Sequence, residues 1–537
     1  MDANEFREAA HAAIEHIIGY CQSLSDRPAL PDSSIHPGYL RPLLPDSAPQ
    51  EPEKWDAIQP DIASKIVPGL THWQSPSFMA FFPANSSYPG MLGELYSAAF
   101  SAPAFSWIAS PAITELETVM MDWVGQALGM PECFLSSGGG GGVIQGSASE
   151  AVVIALVTAR ERILRQRAGE PPGGMDPRTD EDWAAEEARE DKLGDIRSKL
   201  VALGSECAHS ATAKAARIAG TRYRSVPVSR NNDFAMTGAD LKAALEHTKS
   251  AGLVPYYLTV SLGTTSTCAV DRFEEIAEVL KDWPEIWVHV DAAYAGSAMI
   301  CPELRYHLKG VEHFDSFDFN MHKWLLTNFD ASIMFIKNPQ QVTASLSITP
   351  PFLRNKWSDA SLVTDYRDWQ IPLGRRFRSI KIWIVLRTYG IAGLQAHIHK
   401  GIRLGEQFDG WLRERSDLFE IVTAANFGLV VFTVKPRDPK GATDQEAANT
   451  VTEAVYEAIN ASGELFLTST KLGDVYAIRV VNGNELGSEK HMRKAFDLVV
   501  KISEQERTNG DVNTEIEVHE RVDMDPTAGK LELDGTA

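Results

Sequence analysis

An α/β fold is predicted for the body of this 537-residue chain. Three observations predict it. Strand-like and helix-like segments alternate from about residue 87. The strand-like runs, such as LVPYYLTVSL and EIWVHVD, are apolar nearly throughout, as in strands buried on both faces of a parallel sheet. Each such run ends in a turn of glycine, threonine or alanine, where open sheets of this class keep their ligands.

Residues 1–20 carry an amphipathic helical period with early acids. A secretory leader needs a basic start and an apolar run, so this segment is read as a helix. Residues 26–60 are rich in Pro, Ser and Asp, with apolar residues spread through them. That composition predicts an extended arm with short helices, long enough to wrap a second subunit. Helices are expected over 114–129, over 147–167 behind a Ser/Glu-rich start, and over 273–283. Strands are expected over 253–265, 285–296 and 331–338. After residue 375 the pattern changes to two long helices, 377–390 and 394–416. Three strands follow: GLVVFTVKP, ELFLTSTKL and YAIRVVN. The expected division is an N-terminal helical and extended segment 1–87 and a large α/β domain 88–376 with an acidic insertion 169–192. A smaller α+β domain 377–507 and an acidic, disordered tail 508–537 complete it.

The net charge of −21 argues against a nucleic-acid surface. Residues 170–191 hold nine acids and two bases, and residues 510–537 eight acids and two bases. These two segments carry −13 of the total, so the acidity is mostly peripheral. No run of about 18 apolar residues exists, so no membrane span is expected. Cys21, Cys133, Cys207, Cys268 and Cys301 lie far apart, which argues against a disulfide framework or zinc ribbon and for a reducing cytoplasm.

Three features point to chemistry. Gly138 to Gly142 lead through Gly146-Ser147-Ala148-Ser149 into a helix, a start that suits an anion. Neither the P-loop nor the dinucleotide spacing is present. Alone, a flexible loop before a Ser cap explains it better. Asp291 ends a buried strand and can pair with a ligand cation, or simply cap the next turn. Lys323 sits between apolar segments, where poor hydration frees an amine, although a lone lysine there more often snorkels outward. Together, a phosphate cradle, a strand-end acid and a desolvated lysine are what pyridoxal 5′-phosphate (PLP) requires.

HVDAAYAGSAMICPE, FNMHKWLL, GVIQGSASEA, SPAITELETVMMDW and TDYRDWQIPLGRRFRS resemble the group II PLP-dependent decarboxylases of aromatic L-amino acids. These motifs span residues 71–379, with a weaker likeness to about 505. The resemblance implies a fold-type I, aspartate-aminotransferase-like homodimer with a mostly parallel seven-stranded-type sheet and a wrapping N-terminal arm. It implies that Lys323 carries the cofactor aldehyde, that Asp291 pairs with the pyridine nitrogen, and that Ala293 packs on one ring face. His209 resembles the histidine on the other face. Ala148, Ser149, Asn320 and His322 resemble the phosphate contacts, and Thr265 a polar neighbour of the ring. Met321 stands where the family usually has proline.

Two departures bear on the product and the substrate. The family's catalytic loop follows Asp-Pro-Xaa-Tyr-Leu-Lys, and this chain has Thr349-Pro350-Pro351-Phe352-Leu353-Arg354. The tyrosine that would protonate Cα after decarboxylation is thus Phe352, the pattern of the aromatic acetaldehyde synthases. Capture of the electron-rich product by O2 would then release an aldehyde, ammonia and H2O2. The rival reading is a plain decarboxylase releasing the amine, with His209 or water as the acid. Where relatives have Tyr-Phe-Pro-Thr, this chain has Phe81-Phe82-Pro83-Ala84. Loss of two hydroxyls favours phenylalanine or tryptophan over tyrosine or dopa, since an unpaired buried hydroxyl costs ~1–3 kcal/mol. Gly374 leaves room for an indole. Trp73, Pro103 and Phe105 match other pocket positions, the last two expected from across the dimer.

Overall fold

The structure, a computed structural model, describes residues 1–169, 180–348, 353, 356–360, 362–437 and 444–512. Four helices precede the first strand: α1 (Ala3–Ser23), α2 (Trp55–Asp61), α3 (Tyr88–Phe100) and α4 (Pro111–Leu128). Then come β1 (Gly141–Gln145), α5 (Ala148–Ala168), α6 (Asp180–Arg197), β2 (Leu200–Ser205), α7 (Ala211–Ile218), β3 (Arg222–Val226) and α8 (Gly238–Ser250). The chain continues through β4 (Val254–Ser261), α9 (Phe273–Leu280), β5 (Trp287–Asp291), β6 (Ser316–Asn320), α10 (Met321–Trp324) and β7 (Ser332–Ile336). Short helices α11 (Pro339–Leu346) and α12 (Lys356–Asp359) lead to α13 (Arg378–Glu414), β8 (Phe419–Asn426) and β9 (Leu429–Val434). The last elements are α14 (Asp444–Ala461), β10 (Thr468–Leu472), β11 (Val475–Val481) and α15 (Glu489–Val512).

The central sheet has seven strands in the order β1-β7-β6-β5-β4-β2-β3. Only β7 runs against the others, so the sheet is mostly parallel. Every residue of β2, β5, β6 and β7 is buried, which explains their unbroken apolar runs. α5 lies on one face with Ala151, Val152 and Ala155 inward. Its start is fixed by the Ser147 side chain, which accepts from Glu150 N at 3.2 Å. The smaller sheet is antiparallel, in the order β10-β11-β9-β8. The chain before α3 joins this sheet: Met79 N donates to Phe466 O and Val481 N to Met79 O, each at 3.0 Å. Residues 26–60 otherwise lie mostly exposed on the chain.

One expectation is met and two need correction. The two helices expected over 377–390 and 394–416 are both present, meeting within α13 at a kink at Gly390 (φ 62°, ψ 171°). That glycine is what made the helical pattern stop. The smaller sheet has four strands, not three. β8 was illegible because only two of its eight residues are buried, so it lacks a buried strand's apolar run. The glycine run is not a flexible loop throughout. Gly141 and Gly142 lie inside β1, where a Cβ on Gly142 would come within 2.8 Å of Met121 Cβ. These glycines serve close helix–strand packing.

A buried ion pair ties α4 and β1 to the loop before α13. Glu117 accepts from Ile144 N at 2.9 Å and pairs with Arg375, whose Nη1 also donates to Gln370 Oε1 at 2.8 Å. Removing one partner of such a pair costs about 3–5 kcal/mol, because the other charge stays buried.

Candidate active site

The parallel strands β4, β5 and β6 end at one place, and a cavity of about 220 Å³ opens there. Ala148, Ser149, His209, Thr265, Asp291, Ala293, Asn320, His322 and Lys323 all line it. These nine come from five separate stretches of sequence and meet only because the sheet gathers its strand ends.

Each is placed by local structure. Asp291 is the last residue of β5, and its Oδ1 accepts from Ala293 N at 3.1 Å. That leaves Oδ2 for a cation in the cavity. Asn320 ends β6, and its buried Oδ1 has no hydrogen-bond partner. α10 follows at once and carries His322 and Lys323. The α10 turn is held from behind by Asn85, whose N donates to His322 O at 2.6 Å and whose Nδ2 donates to Lys323 O and, at 3.1 Å, to Gly483 O. His322 Nδ1 accepts from Ala331 N at 2.9 Å, so its proton sits on Nε2. Burial, with the nearby Lys323 charge, pushes the His322 pKa down to about 3 and keeps the ring neutral. His209 Nδ1 likewise accepts from Ala211 N at 3.1 Å, and the ring is exposed at the cavity mouth.

Burial lowers the Lys323 pKa below the ordinary amine range, while Asp291 and Asp318 pull it partly back. Its Nζ stands 5.7 Å from the centroid of the Phe82 ring. Phe82 stacks on Tyr294 (3.9 Å, 13°), and Tyr294 on Trp324 (4.5 Å, 13°). The amine is therefore backed by a three-ring apolar wall, which favours the neutral, nucleophilic form.

PLP fits this arrangement. The first N–H groups of α5, at Ala148 and Ser149, have no partner within the helix and are free to bind an anion. Asp291 offers a free carboxylate oxygen to the same cavity, which Asn320, with its unpartnered Oδ1, and Lys323 also line.

Several expected pocket residues stand elsewhere. Trp73, Phe81, Pro83, Ala84, Pro103, Phe105 and Gly374 do not line this cavity within one chain. Phe81 is 46% exposed and stacks on Trp73 at 5.7 Å and 14°. Pro103 and Gly374 are exposed and Phe105 is half-buried. Phe352 and Arg354 lie outside the described residues.

Sequence reading missed two residues. Phe82 sat inside a recognised motif without a role. Arg479, on β11, lies 5.2 Å from the same Phe82 ring. It donates to Thr468 Oγ1 at 2.8 Å and Ser266 O at 3.3 Å, and its buried Nη2 has no partner. Burial pushes its pKa down to about 10. An arginine inside a buried strand was the available signal.

The family model described as the pyridoxal-dependent decarboxylase conserved domain matches residues 37–435. The chain is 43% identical to the aromatic-L-amino-acid decarboxylase of Rattus norvegicus, over 93% of this chain and 97% of that protein. It is equally 43% identical to the phenylacetaldehyde synthase of Arabidopsis thaliana, over 93% and 96% of the two chains. The crystal structure of Oryza sativa TDC with PLP and tryptamine superposes with a TM-score of 0.86 at 36% identity, covering 94% of this chain and 99% of that one.

Proposed function

The chain belongs to the pyridoxal-dependent decarboxylases, a PLP enzyme acting on aromatic L-amino acids, and we propose that it releases the aryl acetaldehyde rather than the amine. Phe352 carries this reading: at the position of the family's proton-donating tyrosine the chain has a ring without a hydroxyl.

The bound cofactor supplies a ring that takes up the electron pair left at Cα when CO2 departs. Lys323 would hold the cofactor's aldehyde carbon, Asp291 would keep a proton on the ring nitrogen, and the α5 start, the amide N–H of Asn320 and His322 Nε2 would bind the phosphate. His209 and Ala293 would cover the two faces of the ring, with Thr265 beside it. Arg479, with its unpartnered Nη2, pairs with the substrate carboxylate. No phenol protonates Cα, so the electron pair passes to O2. Each turnover then consumes one O2 and one water and yields one aldehyde, CO2, ammonia and H2O2. Phenylalanine and tryptophan are the favoured substrates, because Phe81 and Ala84 offer no hydroxyl to a phenol or catechol.

The wild-type enzyme should consume O2 and form H2O2 in step with CO2. An oxygen electrode, a peroxidase-coupled assay and CO2 capture, run on phenylalanine, tyrosine, dopa and tryptophan, measure this together. Amine release without O2 uptake makes the enzyme a plain decarboxylase, as its rat relative is named.

The enzyme works as a homodimer in this reading. What supports it is the apolar surface one chain leaves uncovered. Leu92, Leu95, Tyr96 and Phe100 stand at helical spacing on α3, all about half exposed, and Phe6, Ile14 and Ile17 do so on α1. The exposed arm and the pocket residues standing outside the cavity agree with it. A Leu92→Glu, Tyr96→Glu double variant should sediment as a monomer and lose at least about tenfold in turnover, because charges do not bury at an apolar interface. A monomeric wild type with full activity would contradict the dimer.

A further inference from the structure

Beneath Asp291 lies a buried polar chain that the reaction above does not use. Trp287 Nε1 donates to Ser316 Oγ at 2.9 Å. Ser316 Oγ bonds His289 Nδ1 at 2.8 Å, and His289 Nε2 bonds Asp318 Oδ1 at 2.9 Å. All four residues are at most 1% exposed. Asp318 and Asp291 are register partners on the paired parallel strands β6 and β5, so the two carboxyl groups project from neighbouring strands. Asp318 Oδ2 has no partner at all. A second buried carboxyl beside a working one is costly unless its charge is used.

We propose that Asp318, held by His289, is a positioning residue that adds its charge to that of Asp291 and so strengthens the hold on the protonated ring nitrogen of the cofactor. This rests on the reading of Asp291 given above. The charge is switched by pH. Burial, and then the Asp291 charge, raise the Asp318 pKa to about 7, with His289 and Lys323 opposing. Asp318 is thus neutral below that value and ionised above it. The groups facing it are few. β5 supplies His289 and Asp291, and α10 supplies Lys323. β4 supplies Tyr257, whose pKa burial raises well above the usual range, so that it stays neutral. α5 carries Arg162, which lies 4.9 Å from the centroid of the Trp287 ring and pairs with Asp315 at 3.2 Å, and on β7 the register partner of Asp318 is Met334, which does not titrate.

The sign follows. Above pH 7 Asp318 adds its charge beside Asp291, and below it Asp318 does not. Asp318→Asn keeps the shape and removes the switch. The readout is the rate at which holoenzyme without substrate releases PLP into excess buffer, followed by its absorbance. At pH 8 Asp318→Asn should release cofactor about five- to tenfold faster than wild type, a typical effect of losing one nearby buried charge. At pH 6 the two rates should agree within about twofold, since Asp318 is then neutral in the wild type. Ser316→Ala, which frees His289, should shift the midpoint of the wild-type pH dependence by more than about half a unit. Equal rate ratios at both pH values, or an unmoved midpoint in Ser316→Ala, overturn the proposal. Asp291→Asn separates the two layers: it should speed release at both pH values. If it does not, the Asp291 reading has failed, rather than that of Asp318.

Discussion

Lys323→Ala should lose turnover by at least about 10⁴-fold while the protein still folds and still takes up PLP. The amine is the only group among the cavity-lining residues that can hold the cofactor's aldehyde covalently. Its loss therefore removes a bond, not a contact. The other contacts survive. The α5 start, Asn320 and His322 remain for the phosphate, and Asp291 for the ring nitrogen. The α10 turn is held through main-chain atoms, by Asn85 on the carbonyls of residues 322 and 323, so alanine at 323 leaves it in place. Stability should change little or rise, because the removed group is a buried amine whose charged form burial disfavours. The measurements are the visible band of the covalently held cofactor, its loss on gel filtration, and the thermal midpoint. The wild type should keep its band through the column and the variant should lose it. A Lys323→Ala enzyme that turns over at the wild-type rate would sink the whole assignment of this cavity.

What was legible in the sequence was what local chemistry fixes. Asp291 and Lys323 each sit in a short run whose neighbours dictate a strand end or a turn, and their side chains reach the cavity from there. Ser149 was legible because a capped helix start is a local signal. The parallel strands were legible because burial on both faces leaves an unbroken apolar run. What failed depended on distant packing. Nothing near Arg479 in the chain says that β11 comes to lie behind Phe82, and nothing near Asp318 says that its register partner is Asp291. The glycine run misled because glycine serves both anion loops and close packing, and only the neighbouring Met121 and Phe335 decide between them. β8 was missed for the opposite reason: an edge strand half in solvent carries too little apolar signal to stand out.

Phe352→Tyr should turn the product from aldehyde to arylalkylamine. Two fates compete for the electron pair left at Cα: a proton, or O2. On the proposed reading the wild-type residue 352, a phenylalanine, has no proton to give, and O2 takes the pair. Tyrosine adds one oxygen to a ring that the loop already carries, so loop packing should hardly change. A phenol with an ordinary pKa of about 10 is protonated at neutral pH and can donate. General acid assistance of this kind accelerates proton transfer by about 10²–10⁴-fold, enough to make the amine the main product even where it begins as a trace. CO2 release should stay within about threefold of wild type, because the substituted ring enters only after the carboxylate has left. H2O2 per CO2 should therefore fall while amine per CO2 rises, and the two changes should balance. Chromatography of amine and aldehyde alongside a peroxide assay reads both. The Asp318 and Asp291 variants serve as controls, since they alter cofactor hold without adding a proton donor above Cα. If Phe352→Tyr leaves the amine-to-aldehyde ratio where it was, residue 352 does not reach Cα. The acid, or its absence, must then be sought at the exposed ring of His209, whose Nε2 is free of the bond that ties Nδ1 to Ala211.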